Sequence, residues 1–323
     1  MAVIGLVGCG MWGRNLARNL AQLNVLKNVA DRDPANATDF ANQFDVQHVG
    51  LDAMLDDQEV DGIVLATSAP SHTDLAIRVL SAGKHVYVEK PLTLTLADSL
   101  EIADAAKTAR KQVMVGHLIR YHAAFQELQS QLAAGAIGQL RHVQANRLAM
   151  GRIRNTESVL FDLCPHDLSL ILALMNDEPE SVSCAGVSHV TNGVVDILST
   201  VLGFSQGRSA TMQTSWMSPY KEHRLSVIGS AGSLVFDDTK SWPEKLTLFQ
   251  DNIRPDGEGF LIERASPISL PIAEAEPLKD EMRTFINCCD TGLPAPTNID
   301  EALAVQRVLE QMQVKLTDTN AVS

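Results

Sequence analysis

A chain of 323 residues is too long for one small hydrophobic core and fits two domains. Its formal net charge of -13 disfavours nucleic acid and anionic membrane surfaces as general partners, and no uncharged apolar run is long enough to cross a bilayer. The amino terminus has no basic region before its first apolar stretch, and the five cysteines contain no C-x-x-C pair. We therefore expect a cytoplasmic protein with reduced thiols.

The first feature along the chain is an apolar strand that runs into a glycine-rich turn. Gly8, Gly10 and Gly13 have the spacing G-x-G-x-x-G, and a predicted helix at 14–23 follows them. In such a motif the first glycine makes a tight turn, the second lets the backbone approach a pyrophosphate, and the third lets the helix pack close to the strand. The motif predicts a dinucleotide site, although the same spacing also serves as a purely structural corner.

A second predicted strand, at 26–30, ends at Asp31. An acidic residue at this position accepts hydrogen bonds from the ribose hydroxyls of NAD and repels the extra phosphate of NADP. The neighbouring Arg32 is able to pair with that phosphate, which leaves NADP as the alternative. We expect NAD as the cofactor.

The segment up to about residue 116 alternates short apolar runs with helical stretches. Further buried strands are predicted at 63–66, 86–88 and 113–115, and helices at 75–82 and 97–110. This alternation is typical of a doubly wound α/β domain with a parallel sheet of about six strands. We place this first domain at residues 1–118.

The remainder, residues 119–323, has a different texture. Longer strands separated by turn residues are predicted at 140–150, 181–190, 194–204, 209–217 and 224–229. Helices are predicted at 123–134, 161–175, 278–290 and 300–315, the last with Asn298 and Glu301 as an N-cap pair. The pattern indicates an α+β domain with a large, open, mostly antiparallel sheet. An uncovered sheet face usually meets a partner subunit, so we expect a homodimer or homotetramer.

Two loops follow predicted strands at the edge of the first sheet where ligands bind in open α/β folds. The first loop carries Thr67, Ser68 and His72, which either line the nicotinamide side of a cofactor or belong to a helix cap. The second carries Glu89 and Lys90. A lysine there is suited to hydrogen-bond a substrate hydroxyl, and the alternative is a solvated lysine paired with Glu89.

Asp162 and His166 lie four residues apart in the helix predicted at 161–175, so their side chains share one helix face. A carboxylate beside an imidazole makes the imidazole a better proton acceptor for an alcohol. The alternatives are a helix cap for Asp162 and an ordinary surface histidine for His166. Cys164 between them permits a zinc-site interpretation, which lacks further ligands.

Basic residues are concentrated just before this pair. Residues 118–154 contain five arginines and one glutamate, in a chain of net charge -13. The local excess predicts an anionic substrate, such as one with a diphosphate, and its candidate contacts are Arg147, Arg152 and Arg154. Ordinary arginines at strand edges are the alternative.

Taken together, these residues resemble the glucose-fructose oxidoreductase and inositol dehydrogenase family, Gfo/Idh/MocA, over essentially the whole chain. The segments that carry the resemblance are Gly8 to Gly13 with Met11 and Trp12, Asp31, the loop from Thr67 to His72, Glu89-Lys90-Pro91, and Asp162 with His166. The resemblance implies a Rossmann domain, a second domain whose open sheet is used for oligomerisation, and NAD(P)-dependent oxidation or reduction of sugars or cyclitols. It favours Lys90 and His166 as catalytic residues with Asp162 as their partner, and it implies no metal.

Three further segments look most like the family members that act on nucleotide sugars. They are residues 116–122, with Arg120 and Tyr121 as candidate substrate contacts, residues 146–148 and residues 161–167. The resemblance implies oxidation of the C3 hydroxyl of UDP-N-acetylglucosamine, or a close relative, to a 3-keto sugar. A partner aminotransferase would use that product in the synthesis of a lipid A or polysaccharide sugar.

The chain departs from the family pattern D-x-G-x-H-x-x-D at two positions. Cys164 stands at the glycine and Ser169 at the last aspartate, so the contacts to the substrate stay open. Alternatives are a dehydrogenase of the same family for a cyclitol, free sugar or sugar acid, and an NAD-binding regulator without catalysis.

Overall fold

A computed structural model describes residues 1–151, 153–155 and 157–320, the side chains of 318–320 excepted. The helices in this part of the chain are α1 (Met11–Gln22), α2 (Pro34–Phe44), α3 (Leu51–Asp56), α4 (His72–Ser81), α5 (Leu96–Ala109), α6 (Ala123–Ala133), α7 (Val159–Asp162), α8 (Cys164–Met175), α9 (Pro277–Thr291) and α10 (Ile299–Asn320). The strands are β1 (Ile4–Val7), β2 (Leu26–Ala30), β3 (Gln47–His48), β4 (Gly62–Leu65), β5 (His85–Val88), β6 (Val113–Val115), β7 (Leu140–Met150), β8 (Ser181–Val187), β9 (Ile197–Gly203), β10 (Ser209–Ser215), β11 (Met217–Gly229), β12 (Ser233–Asp237), β13 (Leu246–Phe249), β14 (Asn252–Asp256), β15 (Gly259–Glu263) and β16 (Ile268–Leu270).

The chain divides into two units. The first contains Met1–Tyr121 and Glu276–Arg307, and the second contains His122–Ala275 and the residues from Val308 on. The sequence had assigned everything after residue 118 to the second domain, whereas the structure returns Glu276–Arg307 to the first unit. The reason is packing, because Met282, Phe285 and Ile286 of α9 belong to the same hydrophobic core as β1 and α1.

The first unit is built on a six-stranded parallel sheet in the order β3-β2-β1-β4-β5-β6. Every residue of β1, β4 and β5 is buried, as expected of strands covered on both faces. The strand order reverses at β1, so the carboxyl ends of β1 and β4 flank the point where open α/β sheets bind ligands. The predicted doubly wound sheet is confirmed.

The second unit is built on an eight-stranded sheet in the order β16-β13-β12-β11-β7-β10-β9-β8. Only the pairing of β7 with β10 is parallel among its described strands, so the predicted mostly antiparallel sheet is also confirmed. Buried and more exposed residues alternate along β9, which gives this strand one core face and one open face. Helix α8 packs on β7 and β10 from the core side.

The helix predicted at 161–175 is in fact two helices. Asp162 ends α7, Leu163 follows with a φ of -108°, and α8 begins at Cys164. Pro165 explains the break, because it has no N–H to donate and its ring clashes with the carbonyl four residues earlier. The prediction that Asp162 and His166 share one helix face was therefore wrong.

The described helices include none with the length and the apolar composition that a membrane span requires. All five cysteines are free thiols.

Candidate functional site

The glycine-rich turn follows β1 at the centre of the first sheet. Gly8 has a φ of +106°, and a Cβ there would lie 2.5 Å from the carbonyl oxygen of Ala66. A Cβ on Gly13 would lie 2.0 Å from the carbonyl oxygen of Gly8. These close approaches exclude a side chain at both positions, so the two glycines determine the shape of the loop.

Gly10 lies at the N-cap of α1 and differs from the other two glycines, because a Cβ there would meet no described atom within 4 Å. The first turn of α1 contains no acidic residue, and no described side chain caps it. Its leading N–H groups and the positive end of its dipole are therefore left for an anion. Open space beside Gly10 and an uncapped helix start fit the pyrophosphate of a dinucleotide. Met11 and Trp12 are exposed at this end, by 76% and 41%.

Asp31 follows β2 at the same edge of the sheet. Its Oδ2 accepts a hydrogen bond from the main-chain N–H of Cys9 at 2.7 Å, and its Oδ1 accepts one from the N–H of Asp33 at 2.9 Å. Each carboxylate oxygen retains a further acceptor site, which suits the two hydroxyl donors of a ribose. Arg32 beside it is exposed, so the alternative of a phosphate contact stays open.

The loop after β4 and the first residue of α4 contain three of the predicted cofactor contacts, Thr67, Ser68 and His72. The Ser71 hydroxyl lies 3.0 Å from Thr67 Oγ1 and 2.8 Å from the carbonyl oxygen of Ser68, so its single proton is shared between these two acceptors. His72 is 1% exposed, and its Nδ1 lies 3.0 Å from the carbonyl oxygen of Pro91 while its Nε2 lies 3.1 Å from that of Thr67. Burial lowers the pKa of His72. His72 thus connects two loops from within, rather than presenting its ring to a cofactor.

Glu89 and Lys90 follow β5 at the same edge. Glu89 is buried, and its Oε1 accepts hydrogen bonds from the indole N–H of Trp12 at 2.5 Å and from the hydroxyl of Tyr87 at 2.9 Å. The main-chain N–H of Lys90 donates to Glu89 Oε2 at 3.2 Å. Burial raises the pKa of Glu89, and the bonds from Trp12 and Tyr87 together with the charge of Lys90 oppose the rise. Lys90 itself is partly exposed.

Arg120 and Tyr121, predicted as substrate contacts, are directed toward the returning C-terminal segment. The hydroxyl of Tyr121 lies 2.8 Å from Thr297 Oγ1, and a guanidinium nitrogen of Arg120 lies 3.6 Å from Glu301. His117 Nδ1 lies 2.8 Å from the same glutamate. The sequence indicated Glu301 only as part of an N-cap pair, and Asn298 does cap α10 by accepting from the N–H of Glu301 at 3.1 Å.

In the second unit, Asp162 is held by two donors. Its Oδ1 accepts from Arg154 Nη2 at 2.9 Å, and its Oδ2 accepts from the indole N–H of Trp216 at 3.1 Å. Arg154 also forms an ion pair with Glu157 at 3.2 Å. The sequence analysis did not identify Trp216, because it reaches Asp162 from the bend between β10 and β11, 54 residues further along the chain.

His166 lies in the first turn of α8 and is partly exposed, while Cys164, Pro165 and Asp167 around it are buried. The Cys164 thiol lies 3.6 Å from Thr214 Oγ1, and burial raises the pKa of this thiol to about 12. Cys164 is therefore a neutral thiol near pH 7, whereas zinc binds thiolates. Among the described His, Cys, Asp and Glu side chains, no group of three is placed to hold a metal.

Two of the three predicted diphosphate contacts, Arg147 and Arg154, have carboxylate partners within the second unit. Arg147 donates to Asp167 from both Nε, at 3.1 Å, and Nη2, at 2.7 Å, and the two side chains are only 11% and 4% exposed. Arg154 is bound to Asp162 and Glu157, as described above. Arg152 lies outside the described residues. Arg147 thus forms a buried ion pair with Asp167, and this geometry does not support its predicted contact with a diphosphate.

Comparison with known proteins places these features in context. Residues 3–117 match a family described as an oxidoreductase family with an NAD-binding Rossmann fold, and residues 125–235 match the GFO/IDH/MocA C-terminal domain.

Two curated relatives bear on the substrate. An inositol 2-dehydrogenase of Acidothermus cellulolyticus is 33% identical over 72% of this chain and 72% of its own length. A UDP-N-acetylglucosamine 3-dehydrogenase of Acidithiobacillus ferrooxidans is 30% identical over 66% of this chain and 62% of its own length. The solved structure of a UDP-N-acetylglucosamine 3-dehydrogenase from that organism, GnnA, has a TM-score of 0.84 and 25% identity, and covers 97% of each chain.

Proposed function

Because the chain belongs to the Gfo/Idh/MocA family of NAD-binding oxidoreductases, we propose that it is a dehydrogenase that oxidises a secondary hydroxyl of a sugar or cyclitol. One observation carries the proposal. The uncapped glycine loop after β1, Asp31 after β2 and Lys90 after β5 all lie at the carboxyl edge of one parallel sheet. A dinucleotide held there has an ammonium group at the same edge.

Each residue of the proposed site has a separate role in the reaction. NAD, when bound, supplies the acceptor for the hydride that leaves the carbinol carbon. Lys90 hydrogen-bonds the hydroxyl oxygen and stabilises the negative charge that develops on it. His166 accepts the hydroxyl proton, so that the alcohol loses one hydride and one proton and becomes a ketone.

Asp162 has the role of orienting partner for His166. Its own position is fixed by Arg154 and Trp216, which donate to different oxygens of the carboxylate. A carboxylate held in this way keeps its charge and orientation while the imidazole of His166 gains a proton.

For the substrate, we propose UDP-N-acetylglucosamine or a close relative, oxidised at C3. The support is the likeness to a UDP-N-acetylglucosamine 3-dehydrogenase in sequence, and in fold over 97% of the chain. A 3-keto product would pass to a partner aminotransferase in the synthesis of a lipid A or polysaccharide sugar.

A second candidate substrate is an unphosphorylated cyclitol. The pairing of Arg147 with Asp167 favours it, because a guanidinium engaged with a buried carboxylate is not available to a diphosphate. The inositol 2-dehydrogenase relative supports it as well.

Initial rates of NAD reduction separate the two candidates. We expect turnover with UDP-N-acetylglucosamine, and none at matched concentration with myo-inositol or glucose. Turnover with myo-inositol but not with UDP-N-acetylglucosamine would show that the substrate is a cyclitol.

Lys90→Ala should abolish turnover while NAD binding is kept, since the ammonium acts on the alcohol oxygen. Unchanged turnover by Lys90→Ala would show that Lys90 has no part in the mechanism.

We also propose that the chain is cytoplasmic and forms a homodimer or homotetramer through the open face of the eight-stranded sheet. That face exposes apolar side chains, among them Val187 and Val201, at 46% and 53%.

A further inference from the structure

Three ionisable side chains lie buried together behind Lys90, and the proposed chemistry uses none of them directly. Tyr87 of β5 and Glu281 of α9 are both 0% exposed, and Glu89 is 8% exposed. We call these three residues the buried acid cluster. All of them belong to the first unit.

Glu89 is the member that touches the proposed site. Its carboxylate accepts from the indole of Trp12, from the hydroxyl of Tyr87 and from the main-chain N–H of Lys90. Trp12 belongs to the first turn of α1 and lies within the glycine motif, between Gly10 and Gly13. One buried carboxylate thus connects the loop that would hold the cofactor with the backbone of the proposed catalytic lysine.

The space around this connection is closely filled. A Cβ on Gly116 would lie 2.5 Å from the Tyr87 hydroxyl and 2.9 Å from Glu89 Oε2. On another side, the ring of Phe285 packs edge-on against that of Tyr87, with centroids 5.9 Å apart. Tyr87 and Glu89 therefore have little freedom to move separately.

Glu281 completes the cluster from α9. Neither of its carboxyl oxygens has a hydrogen bond of good geometry to another described residue, while the Tyr87 hydroxyl lies near enough to interact with it. The single proton of Tyr87 is donated to Glu89, so Glu281 can bond to that hydroxyl only as a donor. A donor carboxyl carries its proton.

Electrostatics agrees with this arrangement. Burial, followed by the negative charge of Glu89, raises the pKa of Glu281 well above its usual value, and the adjacent Tyr87 hydroxyl opposes only part of this rise. Burial also raises the pKa of Tyr87 and that of Tyr121, and the proximity of Glu281 adds to both rises. If Glu89 and Glu281 were both ionised, their two buried carboxylates would repel each other, so one of the two keeps a proton.

We propose that Glu281 and Tyr87 are positioning residues for the dehydrogenase reaction: protonated Glu281 orients the Tyr87 hydroxyl, which holds Glu89 as the carboxylate that fixes Trp12 and the backbone of Lys90. The inference rests on the proposed function, and it adds a dependence on a helix that touches neither substrate nor cofactor.

The test uses the full chain with 5-fluorotryptophan and compares Glu281→Gln with Glu281→Leu. Glutamine is neutral and still donates, so we expect NAD affinity, kcat and the Trp12 fluorine resonance all to stay near those of the parent. Leucine fills the space but donates nothing. For Glu281→Leu we expect an unchanged or higher Tm, a displaced Trp12 resonance and a kcat lower by about tenfold, the effect of one lost hydrogen bond.

Loss of activity without loss of stability is the result that a purely structural role would not give. Parent-like kcat and Trp12 resonance in Glu281→Leu would overturn the proposal. If that variant does not fold, Tyr87→Phe replaces it, because this substitution removes only the hydroxyl. We again expect a displaced Trp12 resonance and a lower kcat, and parent-like values of both would overturn the proposal.

The Trp12 resonance is recorded with NAD and without any substrate, and Trp12→Phe identifies it. An incorrect substrate assignment therefore leaves this measurement intact. A displaced resonance with no turnover by the parent would contradict the proposed function alone, whereas an undisplaced one contradicts the positioning role.

Discussion

Asp31 combines two tasks that substitution can separate. It holds the glycine loop through the N–H of Cys9. In its predicted role at the cofactor, it also places a negative charge where NADP would carry its extra phosphate. For Asp31→Ala we expect NAD affinity to fall by about tenfold, because the ribose and the loop each lose an acceptor. We also expect the preference for NAD over NADP to disappear, as measured by calorimetric titration with both cofactors.

Asp31→Asn is the matched control for this prediction. Its amide oxygen still accepts from Cys9, but the charge is gone, so rejection of NADP should weaken more than NAD binding does. If Asp31→Ala rejects NADP as strongly as the parent, another residue determines the cofactor preference.

Glu281 also predicts a pH dependence of stability. Its pKa is raised in the folded chain, whereas an unfolded glutamate titrates near about 4.3. Above about pH 4.3 the folded state therefore binds more protons than the unfolded state, and the free energy of unfolding falls as pH rises toward the folded pKa. Glu281→Gln should remove a decline of up to about 1.4 kcal/mol per pH unit.

Urea unfolding at several pH values between about 5 and about 8 measures this slope. Glu274→Gln serves as the control, because Glu274 is exposed and its removal should leave the slope unchanged. Equal slopes for the parent and Glu281→Gln would show that Glu281 is ionised in the folded chain.

At the scale of elements, local patterns predicted what local physics determines. The close approach of Gly13 to the carbonyl of Gly8 is a local constraint that the glycine spacing predicts. The predicted parallel sheet was confirmed by the observed order of its strands. The break between α7 and α8 was equally local, since Pro165 signals it. It was missed because the apolar periodicity was extended across the proline.

Contacts between distant elements could not be predicted in the same way. The helical pattern of residues 278–290 shows that α9 has a buried face, but an amphipathic pattern does not say which core that face enters. The partners of Tyr121 and His117 lie 176 and 184 residues away along the chain. Charge counting did not predict the ion pair of Arg147 for the same reason, because it did not include the buried Asp167 on a different element.

At the scale of the molecule, the chain forms its first unit from two separate stretches. The second stretch supplies Met282 and Phe285, both 0% exposed, and Ile286, at 7%, to the core of that unit. Burial of three such side chains contributes about 6 kcal/mol, which is comparable with the whole net stability of a typical domain. Residues 1–121 alone should therefore lack a sufficient core.

Two shortened chains test this division. We expect residues 1–121 alone to be unfolded or aggregated and to bind no NAD, because the core that α9 covers is left open to water. Joining residues 276–307 to them through a flexible linker of about 15 residues, which spans about the length of α9, should restore a cooperative unfolding transition and NAD binding. Phe285→Ala in the joined chain should lower its stability by about 3 kcal/mol or more. Calorimetry measures the unfolding transition of each chain, and titration measures its affinity for NAD. Tight NAD binding by residues 1–121 alone would show that residues 276–307 are dispensable.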